Sequence, residues 1–107
     1  MNSRQLLLET ICAAWNSGNA DLMENILHEE MEYSSYWVYN TIKGKDSYLQ
    51  YLREKYIAIK TSGKRIKAQL CYLKGELQVC LWQNNEPVYL YIEIENDLIS
   101  SMYLMPF

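Results

Sequence analysis

The chain has 107 residues, half of them hydrophobic and 21% charged, a balance that excludes a disordered polymer and fits one folded domain over residues 1–107. Thirteen acids against ten bases leave a net charge of -3, which excludes a general nucleic-acid binder built on clustered Lys and Arg. No run approaches the roughly 20 apolar residues that cross a bilayer, so no membrane partner is expected. The opening Met1-Asn2-Ser3-Arg4-Gln5 lacks the charged and apolar regions of a signal peptide, and a cytoplasmic location is expected. A first helix is predicted from Arg4 to Ser17, capped by Asn2 or Ser3. Leu7, Ile11 and Ala14 share one of its faces, with Leu8, Cys12 and Trp15 beside them, and Gly18 stops it. A second, shorter helix is predicted from Ala20 to Leu27, with Asn19 as cap, Asp21 in the first turn and Leu22, Met23, Ile26 and Leu27 as buried stripe.

From Met31 the period changes to two. Met31, Tyr33, Ser35 and Trp37 alternate with Glu32, Ser34, Tyr36 and Val38, as in a strand. Tyr39-Asn40-Thr41-Ile42 either continues that strand or folds back on it. A third helix is predicted from Asp46 to Ser62, with Leu49, Leu52, Tyr56 and Ile59 on one face, Tyr48, Tyr51 and Lys55 on the next, and Gly63 as stop. Four strands then follow: Ile66 to Leu73, Glu76 to Gln83, Val88 to Glu95 and Leu98 to Met105. The turns between them are Lys74-Gly75, a looser Asn84-Asn85-Glu86-Pro87, and Asn96-Asp97. Such short connections force antiparallel neighbours. Three N-terminal helices and a later meander make an α+β fold. Val88, Leu90, Ile92 and Ile94 form an aliphatic row that faces a core, opposite Tyr89, Tyr91, Glu93 and Glu95.

The aromatic set is skewed: ten Tyr and three Trp against one Phe. Phenol and indole groups want a polar partner when buried, which suits a half-polar cavity or a subunit interface. Tyr is also a common strand residue, so a purely structural reading stands beside that one. Cys12, Cys71 and Cys80 have no metal-ligand spacing, and an odd number cannot all pair; buried free thiols are expected, with no metal and no cofactor.

The order of elements resembles the nuclear transport factor 2-like superfamily, which includes SnoaL-like polyketide cyclases and ketosteroid isomerase-like proteins. The resemblance lies in Ala14-Trp15-Asn16-Ser17-Gly18-Asn19, Leu22 to Leu27, and His28-Glu29-Glu30-Met31-Glu32-Tyr33. It continues in Lys43-Gly44-Lys45-Asp46, Tyr48-Leu49-Gln50-Tyr51-Leu52 and the meander, and so covers essentially the whole chain. It implies a cystatin-like roll in which three helices pack in a cone against a strongly curved antiparallel sheet. The cone's open end is then a small-molecule pocket and the outer sheet face a homodimer interface. In such a cone Trp15, Tyr33, Ser35, Trp37, Tyr56, Cys80 and Trp82 are the expected lining, and Tyr89, Tyr91 and Glu93 the expected interface.

Chemistry is harder to place. Isomerase-like relatives carry a catalytic Asp in the first strand, where this chain reads Tyr33-Ser34-Ser35-Tyr36-Trp37. Asp21 and Asp46 sit in first turns of helices and Asp97 in a turn, all with structural explanations. His28 suits a helix C-terminus, Glu32 a solvated strand face, and Glu93 with Glu95 the outer sheet. Lys55, Lys60, Lys64, Arg65 and Lys67 read as a solvated edge that discourages strand pairing. No catalytic residue is assigned. The leading expectation is a domain that binds a small apolar or aromatic ligand without catalysis. The alternatives are a cyclase- or isomerase-type enzyme with His28 or a Glu as base, and an interaction module with a filled cone.

Overall fold

A computed structural model describes residues 3–106, the Val38 side chain excepted. Among them the chain forms two α-helices, one short 3-10 turn and six strands. Helix α1 (Ser3–Ser17) buries Leu8, Ile11, Cys12, Ala14 and Trp15, whose steps of three and four make one face. The expected Asn2 cap lies outside the described residues, and Ser3 is already helical. Gly18 takes φ 68°, and the Asn19 N–H donates to Ala14 O at 3.0 Å, a left-handed stop that satisfies an end carbonyl.

The second helix is the main correction. Only Ala20–Met23 coil, as a single 3-10 turn, with Asn19 Oδ1 accepting from Asp21 N–H as expected. Strand β1 (Leu27–Ser35) begins where the helix was expected to continue. Leu27 pairs with Ile99, and the Ile99 N–H donates to Ile26 O at 2.8 Å. Backbone bonds to a distant strand therefore replace the next helical turn. His28 stands in that strand and not at a helix end; its Nδ1 accepts from the Glu30 N–H at 3.1 Å.

The chain folds back at Tyr36-Trp37 into β2 (Val38–Lys43). Helix α2 (Lys45–Ser62) buries Tyr48, Leu49, Leu52 and Tyr56 and ends at Gly63 in the left-handed region. Arg53 on α2 holds Asp21 at 2.8 Å, tying the 3-10 turn to the helix. Strands β3 (Ile66–Leu73), β4 (Glu76–Gln83), β5 (Glu86–Glu95) and β6 (Leu98–Met105) form the meander. The order across the curved sheet is β2-β1-β6-β5-β4-β3; β1 and β6 run parallel and the other neighbours antiparallel.

The turn expected to be loose is tight, and β5 starts at Glu86. Asn84 and Asn85 take φ 51° and 69°, which short polar side chains tolerate. Gln83 and Glu86 close the turn, so Pro87 opposes Trp82 at the next position, where an antiparallel ladder asks for no N–H. Leu90 and Ile92 are buried and Val88 and Ile94 half-buried on the helix side, as the aliphatic row requires. Tyr89 and Tyr91 are half-buried and Glu93 and Glu95 exposed on the opposite row.

Strands β4 and β5 part beyond the Val79–Leu90 pair. Side chains fill the break. Gln78 Oε1 accepts from the Ile92 N–H at 3.0 Å, and the Arg4 guanidinium donates to Leu77 O at 3.0 and 2.8 Å and to Ile92 O at 3.1 Å. The N-terminus of α1 is thus bolted to the sheet by its one planar cation.

Candidate functional site

Three tyrosines close one side of the space under α2. Tyr33 on β1 packs against Tyr48 and Tyr51 of α2, with ring centroids 5.1 and 5.3 Å away. Trp15 of α1 meets Tyr56 of α2 edge-on, at 5.0 Å and 75°. Two cavities lie on either side of Trp15 and share it with Ile66 and Asn84.

The inner cavity, about 530 Å³, sits between α2 and the helix-facing side of the sheet. Its walls are Trp15, Tyr51, Leu81, Val88 and Leu104, with Ser35, Trp37, Lys55 and Glu86 among the rest. The Ser35 Oγ accepts from the Trp37 N–H at 3.2 Å, which fixes the turn that carries this indole. Trp37 remains 55% exposed and packs edge-on against Tyr36. The edge cavity, about 810 Å³, opens where both helices end beside β3, the border strand of the sheet. Tyr56, Ile59, Trp82 and a group of cations line it.

The residues expected in one pocket are therefore distributed. Ser35 and Trp37 line the inner cavity, Tyr56 and Trp82 the edge cavity, and Trp15 both. Tyr33 lines neither, since its ring is spent in the tyrosine stack. Cys80 is buried on the other side of the sheet, where its register neighbours are Gln69 and Tyr89. Sequence reasoning missed Tyr51, Leu81, Val88 and Leu104 as walls. Val88 read as plain core, because strand alternation gives the face of a residue but not the gap above it.

Electrostatics favour binding over proton transfer. Burial pushes the phenols of Tyr33, Tyr48 and Tyr56 above the ordinary tyrosine range; at Tyr33 the neighbouring Tyr51 adds to it. They are neutral donors, not bases. Glu86, the one carboxylate on the inner cavity, is exposed at its rim. His28 and Glu32 line neither cavity. Burial also pushes the Cys12 and Cys80 thiols up to about 11, with Cys71 nearby adding to both.

The thiols make stability pH-dependent. The folded chain keeps these protons at a pH where the unfolded chain releases them, so it binds more protons than the unfolded state. Their stabilisation is full below the unfolded thiol value of about 8.5 and is lost as the pH rises through the folded value. Urea midpoints measured at about pH 7 and about pH 10.5 are expected to fall toward the alkaline end, the buried tyrosines acting in the same direction. An unchanged midpoint would show that the thiols are not held neutral.

No family model matches the sequence. No curated protein is significantly similar to it. Solved structures are. The chain is similar to an NTF2-like protein of unknown function from Cytophaga hutchinsonii at 17% identity and TM-score 0.66, over 97% of this chain and 88% of that one. It is similar to a SnoaL-like protein of unknown function from Burkholderia thailandensis at 13% identity and TM-score 0.70, over 95% and 91%. A third is an LEH-like epoxide hydrolase from M. tuberculosis, at 14% identity and TM-score 0.62, over 95% and 80%. At such identities the likeness is one of backbone path, which in this chain sets the helices on one face of a curved six-stranded sheet. The chain has the nuclear transport factor 2-like fold.

Proposed function

We propose that this chain is a single small-molecule-binding domain whose inner cavity takes a compact, mainly apolar or aromatic ligand without transforming it. The carrying observation is the wall chemistry of that cavity: mainly aliphatic and aromatic side chains, with the hydroxyls of Ser35 and Tyr51, the amides of Gln83 and Asn84, and charges confined to Lys55 and Glu86. Ligand pockets of a few hundred Å³ with apolar walls and few polar groups have this make-up. An acid–base reaction has less support, because His28 and Glu32 lie away from the cavity, Glu86 is exposed to solvent, and the buried phenols stay protonated. Homodimerisation through Tyr89, Tyr91 and Glu93 belongs to the same reading. It is supported by the half-buried tyrosines on that face and by Tyr103, which pairs with Tyr91 across the strands. A cytoplasmic location completes it.

Native mass spectrometry of freshly purified protein, with denaturing extraction of released material, tests the assembly and any carried ligand together. The neutral fluorophore N-phenyl-1-naphthylamine tests the cavity. It is expected to brighten on binding, and Trp37→Ala is expected to weaken it about tenfold, the loss of one aromatic contact. Because Trp37 is more than half exposed, that variant should fold normally. No brightening, or equal binding by the variant, would count against the cavity.

A further inference from the structure

The edge cavity has a different chemistry from the inner one. Lys60, Lys64, Arg65 and Lys67 line it, and no Asp or Glu does. Among the described residues, none of these four cations is ion-paired; the carboxylates that pair do so with Arg4, Lys45 and Arg53. The chain as a whole is negative, at -3, so this concentration of cations runs against its overall charge. Four like charges bordering one concavity raise the local concentration of anions.

The walls carry a second, independent signal. Trp15 and Tyr56 are 6% and 3% exposed, yet Trp15 Nε1 and Tyr56 OH are buried with no hydrogen-bond partner, as is Trp82 Nε1. All three residues border this cavity, Trp15 and Tyr56 from the helix side and Trp82 from the opposite face of the sheet. An indole N–H only donates, and a buried donor without an acceptor is unusual in a folded protein. What these rings offer the cavity is aromatic surface beside the cations.

We infer that the edge cavity binds a flat organic carboxylate, its charge met by Lys60, Lys64, Arg65 and Lys67 and its apolar body held against Trp15, Tyr56 and Ile59. A carboxylate supplies the negative charge that the four cations lack, and accepts charge-assisted hydrogen bonds from them. The aromatic and aliphatic surface of Trp15, Tyr56 and Ile59 adds a demand that inorganic phosphate does not meet. This site stands apart from the inner cavity and does not rest on the reading of that cavity.

The test is calorimetric titration of the full chain with 2-naphthoate, its neutral amide 2-naphthamide, and inorganic phosphate. The carboxylate is expected to bind, the amide about tenfold more weakly or not at all, and phosphate to displace little of it. Lys64 and Arg65 are exposed and their side chains hold no partner within the chain, so Lys64→Ala/Arg65→Ala should fold. That double variant is expected to lose about tenfold in naphthoate affinity, the sum of two exposed charge contacts, with N-phenyl-1-naphthylamine binding unchanged. Equal binding of acid and amide, no binding of naphthoate, full displacement by phosphate, or an unaffected double variant would each overturn the inference. So would loss of naphthoate binding in Trp37→Ala, which would move the ligand to the inner cavity. Naphthoate binding with no response to the neutral fluorophore would leave this site standing and sink the proposed function alone.

Discussion

Trp15→Ala is expected to destabilise the fold by about 3–5 kcal/mol, the range for removing a buried indole from a core. Trp15 is buried, meets Tyr56 edge-on and separates the two cavities, so little can collapse into its place. Urea unfolding followed by far-ultraviolet circular dichroism measures the loss without relying on the tryptophan signal. Trp15→Phe is the informative partner. It keeps an aromatic ring and removes the indole N–H that has no partner, so its cost should stay below about 1.5 kcal/mol. A Phe variant as unstable as the Ala variant would mean that Nε1 is hydrogen-bonded in solution after all.

Arg4→Met is expected to cost about 2–3 kcal/mol, although position 4 lies next to the chain's start. Its guanidinium bonds two carbonyls from different strands, Leu77 and Ile92, at the place where β4 and β5 part. Met retains much of the apolar stem but leaves both carbonyls without that donor, and the hydrogen bonds lost are charge-assisted. The exposed Glu76 at 3.4 Å contributes little by comparison, so Glu76→Gln should be close to neutral. The pair of variants separates the two roles of Arg4: a large loss with Met and none with Gln identifies the strand junction as the source. Equal effects would identify the ion pair. Native-state hydrogen exchange should place the Arg4→Met effect at the Ile92 amide, which Gln78 also holds.

Local signals account for most of the fold that was legible beforehand. Gly18 and Gly63 end helices with positive φ, and Lys74-Gly75, Asn84-Asn85 and Asn96-Asp97 turn strands with positive φ at both positions. These are choices made within a few residues, so they can be read without knowing the rest of the chain. Leu22 to Leu27 shows the limit. Its apolar spacing suits a helix, yet Leu22 is 44% exposed and Leu27 enters the sheet. The deciding partner, Ile99, is more than seventy residues away. No local pattern contains that information.

The candidate site was legible in type but not in arrangement. The abundance of Tyr and Trp pointed to a half-polar interior, and three of the buried polar atoms left without partners are indeed on Trp15, Tyr56 and Trp82. Which aromatic faces which space was not legible. Tyr33 and Ser35 share a strand face, but Tyr33 is taken up by Tyr48 and Tyr51 while Ser35 reaches the inner cavity. The basic run from Lys60 to Lys67 looked like a solvated edge because its neighbours in sequence are polar. Its neighbours in space include Trp15 and Tyr56, which no stretch of the sequence shows.

By itself, then, the sequence determined the two long helices, the strand periods, the Lys74-Gly75 and Asn96-Asp97 turns, the core row of β5 and the absence of an Asp in the first strand. Each follows from residue type and spacing along a short stretch of chain. Tertiary structure alone decided the parallel pairing of β1 with β6, the Arg4 junction, and the division of the aromatic residues between two cavities of opposite character. Those features arise where side chains from distant segments compete for the same space and the same hydrogen bonds, and that competition is settled only when the whole sheet has closed around its helices.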